Sequence, residues 1–83
     1  MATIEEKCTN VVLKAVARIF KKDVSELSMD THFVEDLRAK SVNIVELIAV
    51  LENELDIMIP FADTRRRKTI GEAIDLVISL RKG

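Results

Sequence analysis

From Ile44 to Leu55 apolar side chains return every three or four residues, and that period admits a helix and little else. At about 100° per residue, Ile44, Leu47, Ile48, Leu51 and Leu55 gather on one face, the stripe that an amphipathic helix turns to a core. The spacing predicts a helix that begins at Ser41 or Val42 and ends near Leu55. Val42, Val45 and Ala49 fall on the opposite side, flanked by Glu46, Glu52 and Asn53. Isolated surface hydrophobes are ordinary. A second stripe with acidic rims is better read as a face that docks a partner, helix in groove.

Two further stretches share this period. Thr3 followed by Glu6 is a capping box, and Ile4, Cys8, Val11, Val12, Ala15, Val16, Ile19 and Phe20 then mark one face of a helix over about 3–20. Thr69 with Glu72 is a second such box. It opens a last helix buried through Ile70, Ala73, Ile74, Val77 and Ile78, with Leu76 or Leu80. A short helix is expected within Phe61–Lys68, capped by Asp63 or Thr64. Residues 21–40 are too long for a structureless loop in a small domain. Asp23-Val-Ser-Glu can cap a helical turn there. Val24, Leu27, Met29, Phe33, Val34 and Leu37 are spaced to fasten the rest to the helices. Strands find little support, because the chain has only two glycines, one proline and three aromatics. The expectation is one all-α domain spanning residues 1–83, a monomer.

Composition removes several function classes. The single cysteine, Cys8, excludes an internal disulfide and reads as a small buried hydrophobe. The single histidine, His32, excludes a histidine metal cluster and reads as a surface or capping residue. No apolar run approaches the ~18 residues that span a bilayer, and no basic segment precedes a hydrophobic one at the start. Membrane insertion is not expected, and a cytoplasmic location is. No nucleophile–base pair or phosphate-binding glycine loop points to an enzyme.

The net charge of −1 conceals a block pattern. Residues 23–36 carry five acids and no Lys or Arg, and residues 41–63 carry another five. Arg65-Arg66-Arg67-Lys68 follows. A near-neutral chain with no aromatic stacking platform does not suit nucleic acid. Segregated charge suits docking to partners of opposite sign.

Ser41 stands where an acidic loop becomes the apolar helix, and alone it reads as a routine N-cap. Its surroundings say more. Phe33-Val-Glu-Asp-Leu before it, Val45-Glu-Leu-Ile and Leu51-Glu-Asn-Glu-Leu-Asp after it, Ile59-Pro, Thr69-Ile-Gly-Glu-Ala-Ile-Asp, and Ala2-Thr-Ile-Glu-Glu at the start form an ordered set. Together they resemble the acyl carrier proteins of fatty-acid and polyketide synthesis, essentially end to end. The resemblance implies a four-helix bundle with a long ordered first loop and a short third helix. It implies 4′-phosphopantetheine attached to Ser41, whose terminal thiol holds acyl groups as thioesters. It implies as partners a phosphopantetheinyl transferase and acyl-handling synthases or ligases with basic docking patches, met by Glu46 and Glu52, with Val42 and Val45 as the apolar contacts beside the arm.

The resemblance departs at Lys40 and Val42, where the family usually has Asp before the serine and Leu or Met after it. Lys40 puts a positive charge beside the modification site, which weakens contact with a basic transferase surface. The basic run 65–68 lies where the family is usually acidic and implies a specialised partner. An aminoacyl or peptidyl carrier, and a carrier-like interaction module that never receives the arm, stand as alternatives.

Overall fold

The computed structural model describes residues 3–82. Ala2 of the opening motif and Gly83, at the end of the expected domain, lie outside the described residues. Four helices follow in order: α1 (Ile4–Phe20), α2 (Ser41–Leu55), α3 (Phe61–Arg65) and α4 (Ile70–Lys82), with a 3-10 turn over Val24–Glu26 between the first two. No strand forms among the described residues; the nearest thing is a single antiparallel bridge between His32 and Thr69. The all-α architecture, the long first crossover and the short third helix are as the sequence predicts.

Thr3 and Thr69 cap their helices as expected, but each box forms only by half: the Glu6 and Glu72 carboxylates accept from the threonine hydroxyls, at 3.4 and 3.2 Å, and not from the cap N–H. Thr3 Oγ1 accepts the Glu6 N–H at 3.1 Å, and Thr69 Oγ1 accepts the Glu72 N–H at 3.2 Å. Each satisfies one of the N–H groups that a helix start leaves unpaired. α1 ends with Lys21 in the left-handed region, φ 56°, and the Lys22 N–H reaching back to the Ala17 carbonyl at 2.8 Å, which is a Schellman closure made without glycine.

α1 packs against α2 and α4, and α2 against α3. The core between them holds Cys8, Val12 and Val16 of α1, Leu47, Ile48, Leu51 and Leu55 of α2, and Ile70, Ala73, Ile74 and Val77 of α4. Ile44 and Ile78 pack at its edge. Ile4 is instead half-exposed, because it lies one turn beyond the packed length of α1, and Ala17 is buried in addition. The Cys8 thiol is 1% exposed, and burial raises its pKa against the lowering effect of Arg81 and Lys7.

The crossover is ordered, by half of the side chains expected of it and by backbone bonds. Phe33 is buried, and Leu27 and Leu37 are half-buried against the core. Val24, Met29 and Val34 face solvent. Backbone bonds supply the rest of the hold. The Gly71 N–H donates to the Met29 carbonyl at 2.9 Å, Ile70 N–H to Thr31 at 3.0 Å, and Phe33 N–H to Lys68 at 3.0 Å. Asp23 caps the 3-10 turn as expected, accepting from the Ser25 N–H at 3.0 Å and from its hydroxyl. These two bonds hold its carboxyl below the usual range.

α3 is shorter than expected and is capped by neither Asp63 nor Thr64. Pro60 occupies the N-cap, where its fixed φ suits the turn. Thr64 lies inside the helix, buried, with its hydroxyl satisfied by the Pro60 carbonyl at 3.2 Å.

Gly71 is where the crossover comes closest. A Cβ there stands 3.0 Å from the Met29 carbonyl oxygen and 3.2 Å from Met29 Cβ. Ala normally stabilises a helix over Gly by about 1 kcal/mol. At this position Gly71→Ala is expected to lower stability by about 1–3 kcal/mol instead, as overpacking does. Urea denaturation of the two proteins checks the sign.

Candidate functional site

The segment before α2 is a built turn. The His32 carbonyl accepts both the Asp36 and the Leu37 N–H, at 3.0 and 3.1 Å, while the His32 N–H donates to Asp36 Oδ2 at 2.7 Å. Arg38 sits in the left-handed region at φ 54°. That reversal returns the Ala39 N–H to the Phe33 carbonyl at 2.8 Å. Leu37 and Ala39 pack against the core. The chain therefore reaches residue 40 from a fixed direction.

The N-cap of α2 is Lys40, not Ser41. An ammonium cannot accept a hydrogen bond, so Lys40 caps nothing with its side chain. Asn43, at the third helical position, supplies the cap instead: its Oδ1 accepts the Lys40 N–H at 2.8 Å. Ser41 is the first helical residue, exposed, and its hydroxyl has no hydrogen-bond partner among the described residues. Nor do the backbone N–H groups of Ser41 and Val42. A serine without a capping duty is thus presented at the positive end of a helix of 15 residues. The routine N-cap reading of Ser41 is corrected by this geometry, and Asn43 is the capping residue that sequence reasoning missed. Its position three residues after Lys40 is the signal, since N3 is where the returning half of a capping box stands.

The outer face of α2 has the predicted layout. Val42 is 66% and Val45 54% exposed, with Glu46, Ala49 and Asn53 exposed beside them. Leu47, Ile48, Leu51 and Leu55 are buried behind. Lys40 is exposed at the same end of α2 as Ser41. Glu52 differs from the rest. It is half-buried at the edge of the face, and its Oε2 accepts the Ile59 N–H at 2.8 Å. It ties the extended segment after α2 back to the helix, a duty that the acidic spacing alone does not reveal.

An exposed hydroxyl without a partner and two unpaired N–H groups beside it suit a phosphodiester on Ser41: the hydroxyl supplies the ester oxygen, and the amides and helix dipole favour the remaining negative charge. The comparisons with known proteins agree in class. A family model described as "Phosphopantetheine attachment site" matches residues 10–77. Proteins described as "Acyl carrier protein" from three Clostridium perfringens strains (SM101, ATCC 13124 and 13) are each 42% identical to this chain over 52 residues. The match covers 63% of this chain and 68% of theirs.

The inward bond of Glu52 makes a measurable distinction. Glu52→Ala leaves the Ile59 N–H without its acceptor and is expected to cost about 1–3 kcal/mol. Glu52→Gln keeps an acceptor oxygen and is expected to lose well under half of that. Chemical denaturation of both variants checks the difference.

Proposed function

Because the chain belongs to the acyl carrier protein family, whose members carry phosphopantetheine, we propose that Ser41 is its attachment residue and residues 1–83 one carrier domain. On this reading it delivers acyl groups to partner enzymes of a fatty-acid, polyketide or specialised lipid pathway. The observation that carries the reading is the division of labour at the start of α2. Asn43 makes the cap, which leaves the exposed Ser41 hydroxyl without a structural task.

Attachment asks little of this chain. Ser41 presents its oxygen at an open helix end, and the base that takes its proton belongs to the modifying transferase. The Ser41 and Val42 amides would hold the phosphate, and the exposed Val42 and Val45 would lie beside the arm's root. Once attached, the arm supplies a thiol that holds acyl groups as thioesters. Docking makes the transfer effectively local, so the residues of this chain supply address and orientation, and the chemistry belongs to the cofactor and the partners. Glu46, with the free edge of Glu52, gives the α2 face its negative sign, suited to basic patches on the transferase and on acyl-handling enzymes.

Lys40 favours a second reading, a carrier-shaped interaction module that is never loaded. It is exposed and directly precedes Ser41, so a basic transferase surface meets a like charge there. Intact mass after incubation with coenzyme A and a promiscuous phosphopantetheinyl transferase separates the two. The carrier reading expects a gain of one phosphopantetheine on the wild type and none on Ser41→Ala. It also expects Lys40→Asp to load faster, by about tenfold in kcat/KM, the equivalent of ~1.4 kcal/mol in the transition-state contact. No gain on either Ser41 protein, with a conventional carrier loaded in the same tube and the native protein also bare, establishes the unloaded module.

A further inference from the structure

The basic run that begins at the last residue of α3 faces a cleft that the carrier reading does not use. His32, Val34 and Glu35 of the crossover form one wall, and Arg65, Arg67 and Lys68 form the other, around about 240 Å³. The walls are fixed to each other by the Phe33–Lys68 backbone bond at 3.0 Å and by the His32–Thr69 bridge. Among the described residues, none of the three basic side chains on the second wall makes an ion pair within 4.0 Å. Arg67 is half-buried in this wall, between the exposed Arg65 and Lys68. Val34, at 70% exposed, offers an apolar contact in the same cleft.

We propose that this cleft is a second docking surface, and that its occupant is an acidic segment on the surface of a partner protein. Three cations without ion-pair partners, two of them arginines, call for carboxylates, which Arg binds in fork geometry. Val34 calls for an apolar residue among them. Glu35 decides between classes of anion. Nucleic acid and an anionic bilayer present uniform negative charge and meet Glu35 unfavourably, whereas a protein surface can set a base against it. The proposal deepens the carrier reading only in taking the partner to be an enzyme that handles the arm. Such a partner bears a basic area for the α2 face and an acidic one for this cleft.

The test uses the full chain carrying Ser41→Ala, so that arm loading does not enter. The probe is a synthetic hexapeptide of glutamates with one central leucine and one lysine, titrated at low salt and followed by backbone amide NMR shifts. The expected result is saturable shifts confined to the region of His32, Val34, Glu35 and residues 65–68. Binding is expected to weaken at least fivefold in the Arg67→Gln/Lys68→Gln double variant. Val34→Ser, which removes no charge, is expected to weaken it about twofold and keeps the test decisive if the double variant does not fold. Equal shifts around Lys14 and Arg18, the basic pair of the α1–α2 groove, overturn the proposal, as does the absence of saturable shifts. Tighter binding of the same protein to phosphatidylglycerol vesicles or duplex DNA overturns the assignment to a protein partner. Because the peptide assay is independent of Ser41, its failure leaves the loading result standing, and the converse also holds.

Discussion

The first N–H groups of α4 lack partners within their own helix, and the crossover carbonyls lack partners within a strand or helix of their own. Two bonds solve both problems together, and a third reinforces them. Met29 and Thr31 give their carbonyls to Gly71 and Ile70, and Lys68 gives its carbonyl to the Phe33 N–H. Buried or half-buried backbone groups must be paired, so the crossover is pinned to α4 rather than left to drift over the surface. Phe33 then drops into the core, and the turn over 32–39 closes on itself. The direction in which the chain arrives at α2 follows from that pinning. If the tether is loosened, the proposed attachment serine still heads a helix, but it no longer has a fixed position relative to the docking face.

α2 separates three tasks by angle and by position. Its inner stripe supplies the core, and its outer stripe of Val42, Val45 and Ala49 with Glu46 stays exposed, free for the partners proposed above. Its first turn divides capping from the proposed attachment, with Asn43 holding the backbone and the Ser41 hydroxyl left unoccupied. Glu52 joins two of these tasks, since it borders the outer face and holds the Ile59 N–H. A change there alters both the surface and the segment leading to α3, so its effect on docking is interpretable only beside a stability measurement.

The long helices were legible because their signals are local. Capping boxes at Thr3 and Thr69 and the 3.6-residue period of α1, α2 and α4 are written in neighbouring residues. The double character of α2, core on one side and exposed apolar stripe on the other, was legible for the same reason. The crossover was legible as ordered but not in how it is ordered. Its tether uses carbonyls and amides that every residue carries, so Met29 and Val34 looked like anchors and are exposed instead. Gly71 is the one trace that the tether leaves in the sequence, and a lone glycine near a helix start does not announce a close contact. Lys40 as N-cap was hidden too, because lysine is a poor capping residue and the cap comes from Asn43. The cleft against residues 65–68 needs two segments more than thirty positions apart to be brought together, which no reading of local pattern supplies.

Charge segregation along this chain becomes a spatial arrangement once α3 packs on α2. The α2 face is acidic and the stretch after α3 is basic, and the two belong to neighbouring elements. Exposed ion pairs contribute little to affinity, about 0–1 kcal/mol each, and are weakened by salt. Their larger effects are on encounter rate and on orientation. A carrier that moves between enzymes gains from that balance, since strong burial slows release, and most affinity differences appear in the off-rate. A surface with only one sign of charge can meet a complementary patch in many rotations about α2. With both signs on adjacent elements, the bipolar partner proposed above would be left with one favourable rotation, and the end of α2 that bears Ser41 would then be aimed in a defined direction without any increase in the apolar area buried.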